Sequence, residues 1–384
     1  INGPTDGGEA VTLRSPYFDA LRAAVRKAGG LFNAHLHLDR AYTLDPKYMG
    51  GIEGGITGNS YISLQKKHGL INALHKSEAY SHTGLIERLT RVTDDLALAG
   101  TRVADSVVDV TDDGLGLGAI EAMNEVKARI AGRMTLRAGA YNPMGFPADR
   151  RERWDLLENG ARMADFIGAL PERDDRNDYP THIGFEECCV RILDMARRLG
   201  KFVHVHTDQR NQPSENATER LIDIVRRDGA PPSADGTPTI WAIHVISPST
   251  YSEKRFRRLV DGLLENNIGV VCCPTAALGM RQLRPVMTPT YNSIARVLEF
   301  AGRGVHVRLG SDNIADMCSP STTADLLDEV YVLSSALRFY DIGVLARLAV
   351  GERLSNEEQV RVTEHLKQDD IEIEKLLNAP AEVS

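Results

Sequence analysis

The sequence predicts an α/β fold, a (β/α)8 TIM-type barrel with helical N- and C-terminal extensions and no complete β-sandwich subdomain. Two observations support this prediction. Helical and apolar strand-like segments alternate along the chain from residue 83 onward, which is typical of parallel α/β folds. Counting them together with one earlier strand gives eight candidate strands separated by helices, and this number favours a barrel over a doubly wound sheet.

The candidate strands are short apolar runs. In chain order they are Asn33–Asp39, Thr101–Val110, Met134–Tyr141, Asp165–Leu170, Phe202–His206, Thr239–Val245, Ile268–Cys273 and Val305–Gly310. The helices have apolar residues at helical spacing. They are predicted at Leu85–Leu98, Gly118–Ile130, a segment before the fourth strand, Phe185–Leu199, Ser214–Arg227, Tyr251–Glu265 and Asn292–Ala301.

Both ends of the chain are predicted to be helical. Ser15-Pro16 is typical of a helix start, and Gly29-Gly30 of a helix end. The tail, Asn356 to Leu377, reads as a charged helix. We therefore expect a lead-in helix within residues 1–29, a barrel over 30–345 and a helical extension over 346–384.

Composition narrows the function classes. The chain has 384 residues, 42% of them hydrophobic, and a formal net charge of −8, which argues against a nucleic-acid or anionic-membrane surface. No apolar run approaches the ~20 residues that span a bilayer, and no signal pattern opens the chain. The five cysteines, four of them in adjacent pairs, fit no disulfide framework and indicate a reducing compartment, so we expect a cytoplasmic protein.

Two segments are predicted to form loops at one mouth of the barrel. The segment containing Gly50-Gly51, Gly54-Gly55 and Gly58 lacks the residues of a phosphate-binding loop and is predicted to be a mobile loop over a site. Arg281 and Gln282 follow the seventh strand, in a position from which specificity groups are drawn. Small polar substrates are compatible with both.

The stretch Asn33–Asp39 places His35 and His37 one residue apart in an apolar run. Side chains alternate along a strand, so both imidazoles leave the same face and form a two-nitrogen metal clamp. His206, His244 and Asp312 fall at the ends of the fifth, sixth and eighth strands. Catalytic groups of such barrels gather at the carboxyl ends of the strands, so these five residues are predicted to share one mouth. The sequence favours interpreting His204 and His306, which lie inside strands, as core or wall residues.

These motifs carry a resemblance. His35-Leu-His37-Leu-Asp39, Val205-His206-Thr-Asp208-Gln209, Ala242-Ile-His244 and Leu309-Gly-Ser-Asp312-Asn313 match the amidohydrolase superfamily in type and order, and look most like its cytosine deaminase and N-isopropylammelide hydrolase branch. The resemblance implies one divalent metal ion, zinc or iron, held by His35, His37, His206 and Asp312. It also implies that His244 and Asp312 act on the bound water.

Two departures from that family limit the transfer of function. Cytosine deaminase-like proteins carry a glutamate, which shuttles a proton to the ring nitrogen, where this chain has Gln209; either the proton route moves to Asp312, Asp208 or His244, or the substrate needs no ring protonation. The small β-sandwich usual in these hydrolases is also missing. A binuclear relative would have a carboxylated lysine at the fourth strand end, where this chain has none, so one metal is favoured, with Glu172 the exception because its carboxylate could bridge two metals.

The predicted substrate contacts are polar residues of the mouth loops: Gln209, Asp208, Asp39, Asn313 and Asn142. Three functions stay open. The first is hydrolytic deamination of an amino-substituted nitrogen heterocycle, and the second is hydrolysis of a cyclic or substituted amide or imide without ammonia release. The third, a non-catalytic small-molecule binder, is disfavoured by the intact ligand set. A homo-oligomer is compatible with the helical tail.

Overall fold

A computed structural model describes residues 15–49, 69–280 and 294–378. Its eight strands form one parallel sheet in the order β1 to β8. They are β1 (Leu31–Leu36), β2 (Thr101–Asp109), β3 (Thr135–Tyr141), β4 (Phe166–Ala169), β5 (Val203–Thr207), β6 (Ile240–His244), β7 (Ile268–Cys272) and β8 (Val307–Leu309). Contacts between β1 and the residues after β8 bring the two edges together, so the predicted barrel is confirmed.

Helices follow the strands on the outside of the barrel. The longer ones are Pro16–Lys27, His82–Ala99, Gly118–Ile130, Arg151–Met163, Phe185–Leu199, Ala217–Asp228, Glu253–Glu265, Leu326–Leu337, Ile342–Ala349 and Asn356–Asn378. Shorter helices lie at Pro46–Met49, Ile71–His75, Pro274–Leu278 and Val297–Gly302. No helix among the described residues is long and apolar enough to span a bilayer.

The predicted elements agree with the observed ones to within a few residues, and the differences lie at loops. The helix expected from Asn292 starts at Val297. The helix Ile342–Ala349 runs across the expected boundary at 345, and the three-part division of the chain stays a prediction. The glycine-rich segment that contains Gly50 to Gly58 lies outside the described residues, as do Arg281 and Gln282.

The strands are buried because the barrel interior covers one face and the helices cover the other. Every residue of β4, β5, β6 and β7 is buried. Such strands read as continuous apolar runs rather than as alternating patterns. Cys188, Cys189, Cys272 and Cys273 are free thiols buried in the core, as their apolar surroundings in the sequence predict.

Barrel closure positions one predicted site residue directly beside two others. The His37 backbone N–H donates to the Asp312 carbonyl at 2.9 Å, and the Asp312 N–H donates to the His35 carbonyl at 2.9 Å. Gly310 permits this approach, because a Cβ there would lie 2.8 Å from the His35 backbone nitrogen. Closure of the sheet therefore fixes Asp312 against the β1 histidines.

The helical extensions pack on the outside of the barrel. The first helix is tied to the C-terminal part of the chain by Arg22, which donates to Asp325 at 2.6 Å, and by the Tyr17 hydroxyl, which donates to the Tyr340 carbonyl at 3.2 Å. Val362 of the last helix is fully buried. Both extensions thus belong to the same body as the barrel.

Candidate metal centre

Four imidazoles and one carboxylate meet at the carboxyl ends of the strands. His35 Nε2 lies 3.1 Å from His206 Nε2, and His37 Nε2 lies 3.2 Å from Asp312 Oδ1. One ligand atom from each of His35, His37 and His206 falls within 4.8 Å of the others, and the same holds for His35, His244 and Asp312. The five residues predicted to share a mouth are therefore brought together.

The imidazoles of this cluster are neutral. Burial lowers the pKa of His35 and His37 well below its ordinary value, and the neighbouring histidines lower the pKa of His35 further. Burial also lowers the pKa of His206 to about 3 and that of His244 to about 4. A neutral imidazole keeps one nitrogen lone pair, which is the form that binds a metal.

Hydrogen bonds outside the cluster orient two of the rings. His206 Nδ1 lies 3.0 Å from the Ala169 carbonyl oxygen, so Nδ1 carries the proton and Nε2 presents its lone pair to the cluster. His35 Nδ1 lies 3.2 Å from Nδ1 of His204. If His35 Nε2 is a ligand, His35 donates through Nδ1 and His204 accepts. His204, interpreted from the sequence as a wall residue, supports His35 from below.

The donor set fits a divalent metal. Borderline ions such as zinc and ferrous iron accept imidazole nitrogens together with one carboxylate oxygen. Burying this many imidazoles next to each other without protons or a metal leaves polar atoms unpaired: His37 Nδ1 and His244 Nδ1 find no hydrogen-bond partner among the described residues. His35, His37, His206 and Asp312 would hold the ion, with His244 beside it.

Two residues of the cluster have a backbone conformation that residues other than glycine rarely adopt. His244 has a φ of 76° and Asp312 a φ of 60°. Such strain persists only where the surrounding structure holds it, and it concentrates at functional sites. The two residues proposed to act on water are thus the ones whose side chains are turned at the ends of β6 and β8.

Tyr141, at the end of β3, packs against the cluster and was not predicted from the sequence. Its ring centroid lies 5.1 Å from that of His206 and 5.4 Å from that of His37, and the side chain is buried. The sequence feature that could have predicted this role of Tyr141 is an aromatic residue at the carboxyl end of a barrel strand. Tyr141 excludes water from one side of the histidines.

A charged network lies beside the cluster, between β1 and β2. The Arg40 guanidinium donates to both carboxylate oxygens of Asp109, at 2.6 Å and 2.9 Å for the shortest contact to each. His75 lies between Asp109, at 3.1 Å, and Asp113, at 2.7 Å. The predicted substrate contact Asp39 belongs to this network: its Oδ2 accepts from the Tyr80 hydroxyl and from the Asp109 N–H, both at 3.0 Å.

Three other predicted substrate contacts form hydrogen bonds with groups of the loops themselves. Asp208 accepts from the N–H groups of Ala217 and Thr218, at 2.8 Å and 3.0 Å, and so caps a helix. Asn142 donates to the Val110 carbonyl at 3.1 Å, and Asn313 donates to Asp316. All three are buried. Their side chains are thus engaged within the loops, and a contact with substrate stays a prediction for all three.

Gln209 has a different partner. Its Nε2 donates to Glu172 Oε2 at 3.3 Å, and Glu172 Oε1 accepts from the Asp208 N–H at 2.6 Å. Glu172 follows β4 and Gln209 follows β5, so both lie at the carboxyl end of the barrel. The sequence predicted Glu172 only as a metal bridge. The proximity of Glu172 to Gln209 depends on the pairing of β4 with β5, which no local sequence pattern indicates.

Comparisons with known proteins identify the same fold. No protein-family model matches the chain. An uncharacterized protein from Haemophilus influenzae is 28% identical over 274 residues, which cover 71% of this chain and 91% of that protein. The structure superimposes on 5-methylcytosine deaminase from Klebsiella pneumoniae with a TM-score of 0.65 and 21% identity, covering 88% of this chain and 82% of that one.

Two further structures share the architecture. N-isopropylammelide isopropylaminohydrolase from Burkholderia multivorans gives a TM-score of 0.62 at 17% identity, covering 88% of this chain and 82% of that one. Guanine deaminase from C. acetobutylicum gives 0.51 at 13% identity, covering 87% of this chain and 70% of that one. The chain therefore has the barrel fold that the resemblance to the amidohydrolase superfamily implies.

Proposed function

We propose that this protein is a metal-dependent hydrolase that attacks a C–N bond with activated water and removes the amino group of a nitrogen heterocycle as ammonia. The observation that supports this most directly is the convergence of four neutral imidazoles and Asp312 at one mouth of the barrel. The structures that share the fold include enzymes named as deaminases of 5-methylcytosine and of guanine. The substrate is a small molecule.

Each residue of the cluster has a chemical task in this proposal. One divalent ion per chain, zinc or iron, supplies the Lewis acidity that makes water nucleophilic near neutral pH. The Asp312 carboxylate, 3.2 Å from His37 Nε2, accepts a proton from the attacking water and returns it to the leaving nitrogen. His244 holds the developing negative charge on oxygen, and its pKa of about 4 keeps it neutral until then.

A second candidate reaction is hydrolysis of a cyclic or substituted amide or imide. Gln209 favours it, because an amide side chain can hydrogen-bond to an amide-like ring edge but cannot carry a proton. Ring opening would release no ammonia. Ammonia measured during turnover of amino-heterocycles and of cyclic amides therefore distinguishes the two reactions.

The first test of the proposal is metal content. The wild-type protein and His206→Ala are dialysed together and measured by inductively coupled plasma mass spectrometry, with His306→Gln as a matched control outside the cluster. We expect about one zinc or iron per chain in the wild type and in the control, and a loss of that metal in His206→Ala. A metal-free wild type would contradict the catalytic proposal, and about two ions per chain would contradict the single-metal assignment.

We also propose a cytoplasmic location, on the ground that Cys188, Cys189, Cys272 and Cys273 are buried free thiols. A homo-oligomer is proposed on the helical tail, whose outer face exposes Val360 and Ile373. Light scattering of the purified protein measures the oligomeric state.

A further inference from the structure

We propose that Glu172 and Gln209 form one recognition pair for the substrate ring, in which Glu172 gives a proton to a ring nitrogen and the Gln209 carbonyl oxygen accepts a hydrogen bond from the ring edge. This inference rests on the proposed function and deepens it. It places the proton donor, Glu172, after β4 and the amide, Gln209, after β5.

Strand pairing places the two side chains together at the mouth. β4 and β5 are neighbours, with Ala169 paired to Val205. The Ala169 carbonyl is also the group that orients His206, at 3.0 Å from its Nδ1. The turn that carries Glu172 therefore begins beside a proposed metal ligand, and Glu172 faces the chain that follows that ligand.

Every polar contact of the Glu172 carboxyl group comes from the segment after β5. Oε1 accepts from the Asp208 N–H at 2.6 Å, and Oε2 accepts from Gln209 Nε2 at 3.3 Å. No cation among the described residues forms an ion pair with Glu172 within 4 Å. The nearby Arg210 donates instead to Asp178 at 2.6 Å. A partly buried carboxyl group without a paired cation is expected to keep its proton to a higher pH than an exposed one.

The two carboxylates nearest to Glu172 act in the same direction as its burial. Burial raises the pKa of Glu172 well above its ordinary value, and the carboxylates of Glu215 and Asp208 raise it further, while Arg210 lowers it. Burial likewise raises the pKa of Glu215 to about 7. On the Glu172 turn itself, Arg173 donates to the Tyr179 hydroxyl, and Asp174 lies 3.2 Å from His182. Burial and these two carboxylates together favour the protonated form of Glu172.

The amide group of Gln209 is held in one orientation by this acid. Its Nε2 points to Glu172, and its Oε1 accepts no hydrogen bond from any residue that the structure describes. That oxygen is left to accept from an N–H of a ligand. The protonated carboxyl oxygen of Glu172 can accept from Nε2 and donate its proton outward at the same time. An acid and a carbonyl side by side match a ring edge that presents a bare nitrogen next to an N–H or amino group.

Proton transfer by this pair balances the proposed deamination. Water adds its oxygen to the amino-bearing carbon, and Asp312 takes one of its protons. Glu172 gives its proton to the neighbouring ring nitrogen. The bond from carbon to the amino group breaks as Asp312 returns its proton, and ammonia leaves. The second water proton is released as the C=O bond forms, and it reprotonates Glu172 through solvent.

The test exchanges the two side chains. The isosteric variant Glu172→Gln removes the acid, and the double variant Glu172→Gln/Gln209→Glu restores one acid and one amide in swapped positions. Glu265→Gln, at an exposed helix end, is the matched control. For an amino-heterocycle that the wild type deaminates, we expect Glu172→Gln to lower kcat ~10²–10³-fold with unchanged metal content, and the swap to recover most of that loss. The control is expected to equal the wild type.

A second measurement detects the proton on the Glu172 carboxyl group without substrate turnover. Infrared difference spectra between wild type and Glu172→Gln at pH 7 should show the carbonyl band of one protonated carboxylic acid, present in the wild type only. A missing band, or a kcat and pH profile of Glu172→Gln equal to those of the wild type, would overturn this inference and leave the deaminase proposal intact. Failure of the wild type to release ammonia from any amino-heterocycle would overturn both.

Discussion

Two buried regions of the barrel mouth contain histidines, and their histidines titrate in opposite directions. In the metal centre, burial lowers the pKa of His206 to about 3. In the network between β1 and β2, burial also opposes the charge of His75, but hydrogen bonds that its ring donates to Asp109 and Asp113 raise its pKa to about 9. The difference shows that the partners of a buried imidazole decide its charge. The imidazoles of the metal centre are neutral, whereas the network beside it is built from charged groups.

The largest expected effect is on the metal-centre side of this comparison. Asp312→Asn keeps the volume of the side chain and an oxygen that can face a metal, but it removes the group that accepts the water proton. We expect kcat for ammonia release to fall ~10³-fold or more while the metal stays bound. Turnover and metal content of the same preparation check this. Full activity of this variant would contradict the role of Asp312 as proton acceptor.

The next effect concerns the network of fixed charges. Asp109→Asn leaves the buried Arg40 without its bidentate partner and His75 without one of its two carboxylates. Removing one partner of a buried ion pair costs about 3–5 kcal/mol, because the other charge stays buried and unpaired. Urea unfolding measures this loss.

Asp94→Asn is the control for that measurement. Asp94 pairs with Arg133 on the surface, and both side chains are about half exposed. Such pairs contribute ~0–1 kcal/mol. Equal losses in the two variants would show that the network between β1 and β2 is no more important to stability than a surface pair.

A smaller effect is expected at the support of the metal centre. His204 Nδ1 lies 3.2 Å from His35 Nδ1, and His204→Phe removes that contact while keeping an aromatic ring of similar size. Partners of metal ligands typically change metal affinity ~10–100-fold. We expect a loss of that size, measured by competition with a chelator, with little change in unfolding at saturating metal. His306→Phe, on a histidine that bonds the Gly351 carbonyl, is the control.

The sequence predicted that the four histidines and Asp312 lie together because the signal for this cluster is local and periodic. His35 and His37 share a face by strand period, and the carboxyl ends of parallel strands share one mouth. The charged network has no such signal. Arg40 meets Asp109 across 69 residues, and Glu172 meets Gln209 across 37. Which polar residue turns toward the mouth and which toward a backbone N–H, as Asp208 does, is decided by these distant partners.

The smallest predicted effect is on the pH dependence of stability, and it tests directly whether the pKa of His75 is raised while that of His206 is lowered. The pKa of His75 is about 9 in the folded protein, above the ~6.5 of an unfolded chain, so protonation of His75 favours folding. This stabilisation is fully present below pH 6.5 and is lost as the pH rises through 9. We expect the wild type to lose ~1–3 kcal/mol of unfolding free energy between pH 6 and pH 9.5 relative to His75→Gln, which cannot titrate. Parallel pH dependences of the two proteins in urea unfolding would mean that His75 stays neutral between its two carboxylates, and the contrast with the metal centre would then fail.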